Sequence, residues 1–230
     1  MLRMVLAWEN AEMRLKPVED EILKGMLARR PDLVGCFESL VAFHGELVRC
    51  YDGGGKLLVC GNGGSCADAM HIVGELCKSF ERKRPVRADI VIRLQDMPLG
   101  KELARHLEVG LPAIALGLNG ALKTAIENDS PLRNIAFAQE TYALAKPGDM
   151  LLAISTSGNA ENCMMAMSIA KAMGVTTASL TGPSGGRMAS AADVAIMAPG
   201  HTTKEIQEAH LVLYHTFCAM IEAHYFPEMR

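Results

Sequence analysis

The sequence predicts an α/β domain in which a parallel sheet is covered by helices on both faces. Three observations carry that prediction. Five short strand-like runs, at 56–60, 112–117, 150–155, 175–180 and 193–197, alternate with helical patterns at 65–80, 119–127, 131–145, 160–173 and 203–225. Two of the runs, Lys56-Leu57-Leu58-Val59-Cys60 and Met150-Leu151-Leu152-Ala153, are unbroken enough in their apolar character to be strands buried on both sides. The chain has 230 residues, 50% of them hydrophobic and 21% charged, which suffices for one substantial core within the size of one domain.

Taken in order, the first fifty residues form an N-terminal helical segment ahead of a 51–230 domain. It reads as two helices, roughly 1–28 and 32–50, divided at Arg30-Pro31-Asp32, where Pro and Asp fit a helix start. Leu23, Met26, Leu27, Leu33, Val34, Phe37, Leu40, Val41, Leu47 and Val48 give this segment an apolar face that needs either a sheet layer or another subunit to cover it. After the strand at 56–60 comes Gly61-Asn62-Gly63-Gly64-Ser65, whose glycines let a backbone turn and approach a ligand closely. No Gly-Lys-Ser/Thr closes this loop and position 66 is Cys, so neither the P-loop nor the dinucleotide fingerprint is met. Residues 86–110 interrupt the alternation as an inserted arm, with an amphipathic helix-like stretch at Lys101–Leu107, and an arm of that length suggests a function or an interface of its own. The helix at 160–173 closes on Met173-Gly174, a C′ glycine, and Val175–Leu180 resumes the sheet.

The strand at 150–155 runs into Ile154-Ser155-Thr156-Ser157-Gly158-Asn159, and a helical pattern begins at Ala160. Three hydroxyls beside a helix N-terminus form a donor nest of phosphate size. The simpler alternative is an ordinary Ser/Thr helix cap. In parallel sheets ligands sit outside the carboxyl ends of the strands, where both this loop and the 61–65 loop fall.

Composition narrows the function. A net charge of −3, from 23 Lys+Arg against 26 Asp+Glu, gives no chain-wide basic field for nucleic acid. Seven cysteines without a C-x-x-C pair suit a reduced, cytoplasmic protein. Residues 1–10 lack the long apolar core and cleavage site of a secretion signal, and no run approaches the ~20 apolar residues of a membrane span.

Two helices carry candidate chemistry. His71 and Glu75, four residues apart, project from one helix face shortly after the glycine loop. The 203–225 helix carries Gln207, His210 and His215, and Gln207 and His215 are separated by roughly 80° and ~12 Å, so they meet only by leaning together. Two imidazoles, a carboxylate and an amide oxygen could hold a divalent ion such as zinc or transfer protons.

Through Cys60–Ser65, Asp68-Ala69-Met70-His71 with Glu75, Ile154–Asn159, Leu180-Thr181-Gly182, and Ile206–His210 with His215, the chain resembles the sugar isomerase (SIS) family and, within it, the phosphoheptose isomerases. The resemblance runs from about residue 32 to the end. It implies a three-layer αβα sandwich on a five-stranded parallel sheet, and a homotetramer with active sites at subunit interfaces. It also implies interconversion of sedoheptulose 7-phosphate and the aldose heptose 7-phosphate. On the matching positions it implies Glu75 as general base and His215 as its acid/base partner. His71, Glu75, Gln207 and His215 match the metal set, Ser155, Thr156 and Ser157 the phosphate cradle, and Asn62, Gly63, Gly64, Ser65, Asp129 and Gln207 the lining of the sugar. No nucleotide cofactor, membrane or nucleic-acid partner is implied.

The chain departs from that pattern at Ala160, where a serine is usual in the family, and in the arm, which separates Arg84-Pro85 from Leu111-Pro112. Leu122–Asp129 and Phe226-Pro227 also resemble the DnaA initiator-associating proteins, which share the fold without the acid/base pair. A non-catalytic scaffold of that type, or a sugar-phosphate sensor without turnover, is therefore the alternative, and retention of Glu75 and His215 separates the enzyme from both.

Overall fold

In the computed structural model, which describes residues 15–227, five strands pair in parallel in the order β2-β1-β3-β4-β5. They are β1 (Leu57–Gly61), β2 (Ala113–Ala115), β3 (Met150–Ser155), β4 (Thr176–Thr181) and β5 (Val194–Met197). All five lie within a residue or two of their expected positions. β1 and β3 are the central pair, registered from Leu57 opposite Met150 to Gly61 opposite Ile154, and every residue of both is buried. Because side chains alternate across a strand, Leu57, Val59, Leu152 and Ile154 enter one core and Leu58, Cys60, Leu151 and Ala153 enter another on the opposite face.

The first face is covered by α1 (Pro17–Arg29), α2 (Phe37–Asp52), α3 (Gly64–Cys77) and the long α10 (Thr203–Tyr225). Thr202 starts α10 with a reciprocal capping box to Glu205. The second face is covered by α7 (Ala136–Leu144), α8 (Glu161–Ala172) and α9 (Gly186–Ala191). This is the expected three-layer αβα arrangement. The apolar face of the N-terminal helices is satisfied within the chain: Leu23, Met26, Leu27, Leu33, Phe37, Leu40, Val41 and Leu47 are buried in the first core, Val48 packs against it, and Val34 stays exposed. Residues 1–14 of the expected first helix lie outside the described residues. The expected second helix begins instead as a 3₁₀ helix, Pro31–Cys36.

The inserted arm holds two short helices, α4 (Ala88–Leu94) and α5 (Gly100–His106), whose side chains are not buried. An antiparallel bridge from Pro85 to Glu108 closes its base, and Glu108 accepts hydrogen bonds from the Ser79 backbone and hydroxyl. The segment leading into the arm is fixed by Glu222 of α10. Its carboxylate accepts from the backbone N–H groups of Phe80, Glu81 and Arg82 and pairs with the fully buried Arg84. Beyond the arm, α6 (Gly120–Asp129) is capped by Asn119.

The strand order creates the site. From β1 the chain goes to one edge of the sheet, and from β3 it goes to the other, so the connections diverge between the carboxyl ends of these two neighbours. A crevice opens at that point in any sheet of this order. Both donor loops stand on its rim.

Candidate active site

The loop after β3 decides between a helix cap and a ligand cradle. The residue preceding α8 is Ala160, which has no side chain to cap with, so the hydroxyls of residues 155–157 are not committed to that helix. Ser155 and Ser157 face each other at 3.4 Å between hydroxyl oxygens, and Ser157 Oγ accepts from the Asn159 N–H. Thr156 accepts at its carbonyl from the N–H of Gly182. Gly158 sits at φ +64°, and a Cβ there would run into the Gly185 carbonyl, so this turn needs glycine twice over.

The loop after β1 is built the same way. Gly63, at φ +57°, precedes α3 with no side-chain cap, leaving the start of that helix to a ligand. Ser65 is buried, and Asn62 is exposed. The Asn62 amide exchanges two hydrogen bonds with the Asn162 amide, of 2.9 and 2.8 Å, which ties the loop after β1 to the first turn of α8. Gly64 is covered by the side chain of Gln207, and a Cβ at position 64 would displace it.

About two helical turns farther along α3 the ionisable groups gather. His71 is central: its Nε2 lies 3.1 Å from Glu75 Oε1 and 3.4 Å from His215 Nε2. Burial lowers the pKa of His215, and the neighbouring His71 charge lowers it further while Glu75 opposes, so the His215 ring favours its neutral form. The other nitrogen of His71, Nδ1, lies 2.9 Å from the Tyr214 hydroxyl, which in turn lies 3.3 Å from Asp68 Oδ1. The Tyr214 hydroxyl donates to Asp68 Oδ1, a carboxyl whose pKa burial raises while Tyr214 and His71 oppose, and the tyrosine oxygen is left to accept from His71 Nδ1–H. The Nε2 lone pair of His71 then faces the Glu75 carboxylate, an arrangement that calls for a proton or a cation on Nε2. The separations of 3.1 and 3.4 Å share one atom, His71 Nε2, and the donor atoms of Glu75, His71 and His215 do not all lie within 4.8 Å of one another, so in this conformation the three do not form a closed ligand set for a tetrahedral ion.

The expected residues do not all converge. His71, Glu75 and His215 lie in a row with His71 in the middle, and Gln207 rests against Gly64 at the loop end of α3. Asp129 is exposed at the end of α6, where it accepts from the adjacent Asn128, and no hydrogen bond among the described residues ties it to either donor loop. His210 is fully buried with Nε2 3.1 Å from the Thr181 carbonyl, which makes it a strut between α10 and β4. Tyr214, Phe80 and Asn162 had no role assigned from the sequence, nor did Asp68 beyond its place in the family motif. Asp68 precedes His71 by three residues on the same helix face, a spacing that could have revealed it. Phe80, whose ring centroid is 5.5 Å from that of His215, was invisible because the Glu222 anchor that places it is 142 residues away.

Comparisons with known proteins place the chain in a family. The SIS domain family model matches residues 132–225. The chain is 36% identical over 211 residues to the phosphoheptose isomerase of Roseiflexus sp. strain RS-1, covering 92% of this chain and 94% of that protein. It is 41% identical over 185 residues to the phosphoheptose isomerase of Shewanella denitrificans, covering 79% and 82%. Among solved structures, the phosphoheptose isomerase of Neisseria gonorrhoeae superposes with a TM-score of 0.65 at 29% identity, over 97% of this chain and 100% of that one.

Proposed function

Because the chain belongs to the phosphoheptose isomerase family of SIS-domain proteins, we propose that it is an aldose–ketose isomerase interconverting sedoheptulose 7-phosphate and a D-glycero-heptose 7-phosphate through an enediol. The observation that carries this reading is the row Glu75–His71–His215, placed beside two uncapped donor turns at the switch point of the sheet.

The phosphate end of an open-chain sugar binds at Ser155, Thr156 and Ser157. That contact holds a non-reacting group and converts its binding energy into alignment of the two carbons that react. Asn62, Gly63, Gly64, Ser65 and Gln207 line the path between the two ends. Glu75 removes the proton from one carbon and returns it to the next, and His215, whose partial burial favours the neutral ring, exchanges a proton with the substrate oxygens. Tyr214 and Asp68 keep the His71 ring in one orientation. His71, Glu75, Gln207 and His215 are the metal set the resemblance implies, and holding a divalent ion such as zinc there would require Glu75 and His215 to close in around His71. An ion so held would polarise the carbonyl oxygen as negative charge develops on it.

The reading includes a homotetramer whose active sites lie at subunit interfaces, in a reducing cytoplasm. Support for the interface comes from a groove of about 940 Å³ that runs from Val18, Ile22 and Arg29 of α1 past Arg82 to His215, leaving the site open on that side. Support for the compartment comes from seven cysteines, all free. Among the described residues no helix is long and apolar enough to cross a membrane.

The test is an isomerase assay on sedoheptulose 7-phosphate with the wild type beside Glu75→Gln and His215→Ala. Turnover by the wild type and its loss in both variants is the expected result. A folded wild-type protein that binds the sugar phosphate without turnover would leave a sensor or scaffold instead.

A further inference from the structure

The junction of α1, α2 and the end of α10 contains a second cluster of ligating side chains, apart from the site already described. Glu19, on the first turn of α1, is 1% exposed. Its Oε1 lies 2.7 Å from His224 Nδ1, and its Oε2 lies 3.2 Å from Nε2 of the buried His44. The ligand atoms of Glu19, His44 and His224 all fall within 4.8 Å of one another, and among the described residues no other trio of His, Cys, Asp or Glu meets that condition.

We propose that Glu19, His44 and His224 form a structural binding site for a divalent transition ion of the zinc class, distinct from the catalytic residues. The donor set, two imidazoles and one carboxylate, is one that zinc accepts, and one ligand atom from each of the three lies within 4.8 Å of the other two, so the side chains need a small rearrangement to reach the roughly 3.3 Å edge of a tetrahedral zinc. The charge argument points the same way. A carboxylate sealed inside an apolar core is costly unless a positive charge accompanies it. The capping bond from the Lys16 N–H reaches Glu19 Oε2, and the Lys16 ammonium is engaged by the His224 carbonyl, 2.7 Å away, so the charge on the carboxylate is met either by a proton held with the His44 and His224 rings or by a divalent ion in its place. His224 is 20% exposed, so it provides both the entry path and room for water as the fourth ligand.

The site also has a predictable weakness. On coordination each neutral ring carries its one proton on its other nitrogen, and His44 Nδ1 is buried without a hydrogen-bond partner. Lack of that outer contact lowers affinity by roughly 10–100-fold relative to a fully supported site, so the ion exchanges and a chelator removes it. The ion would fasten α1 to the end of α10. The inference does not depend on the reaction proposed above.

The experiment measures binding of zinc alone by equilibrium dialysis to the full chain in three forms. These are the wild type, a His71→Ala/His215→Ala chain lacking the catalytic imidazoles, and that chain with His224→Gln added. The second form is expected to retain one zinc per chain and to melt higher when zinc is added. The third is expected to bind at least tenfold more weakly and to gain nothing in melting temperature. Side-chain ¹H–¹⁵N spectra of the second form provide a check that needs no change at the cluster, since zinc must perturb the His44 and His224 nitrogens. A folded second form that binds no zinc, equal binding by the second and third forms, or unperturbed His44 and His224 signals each overturn the proposal.

Discussion

The hydroxyl of Tyr214 stands 2.9 Å from Nδ1 of His71, so the orientation of the central imidazole in the site is set by the residue next to His215 on another helix. Replacing Tyr214 with Phe removes that partner and keeps the ring's bulk. We expect isomerase kcat/KM to fall by roughly 10–100-fold with little change in melting temperature, following the usual cost of losing a support of this kind. Steady-state kinetics and a thermal melt on the same preparation check this, and unchanged kinetics would show that His71 is held by other means.

Glu75→Gln and His215→Ala should each lower kcat by roughly 10²–10⁴-fold, the range for loss of a general acid or base. Both side chains are partly exposed, so far-ultraviolet circular dichroism should not change. The double variant should lose little more than the worse single one, because the two groups act on one proton inventory.

Ser157→Ala should raise KM for the sugar phosphate about ten- to a hundredfold, the equivalent of about 1.5–3 kcal/mol for a hydrogen bond to a charged group. Inorganic phosphate should inhibit the wild type competitively and the variant more weakly. An unchanged inhibition constant would move the phosphate away from this turn.

Arg84 and Glu222 are both fully buried, and Glu222 also holds three backbone N–H groups. Glu222→Gln leaves the arginine charge uncompensated and should destabilise the protein by about 3–5 kcal/mol in urea unfolding. Activity should fall as well, since Phe80 beside His215 hangs on the same anchor.

Burial lowers the pKa of His210, with the Thr181 carbonyl opposing the shift. A depressed histidine binds its proton more readily in the unfolded chain. Stability is therefore fully present above about pH 6.5, the ordinary imidazole value, and drains away as pH falls below it. His210→Gln should flatten the fall of the urea midpoint between neutral and mildly acidic pH. Parallel curves for wild type and variant would remove His210 as a source.

Much of this was legible in the chain and the rest had physical reasons to be hidden. The strands were readable because burial on both faces forces unbroken apolar runs such as Leu57–Cys60, and α10 because its helical pattern is sustained over 23 residues. The turns at 61–65 and 155–159 were readable because glycine and hydroxyl residues there answer to local geometry. α9 was missed, since six residues opened by Gly185-Gly186 carry little helical period. The expected convergence of Gln207 with His215 failed because the two are separated by more than two turns, and Gln207 finds Gly64 first. The Glu222 anchor and the Glu19–His44–His224 cluster join residues far apart in sequence, and no local pattern announces such meetings.

The paired amides of Asn62 and Asn162 couple the turn after β1 to the start of α8, so a shift in one is transmitted to the other. Both bonds are exposed, and the polar groups of an arriving guest can exchange for them at little net cost, which would release the two turns together.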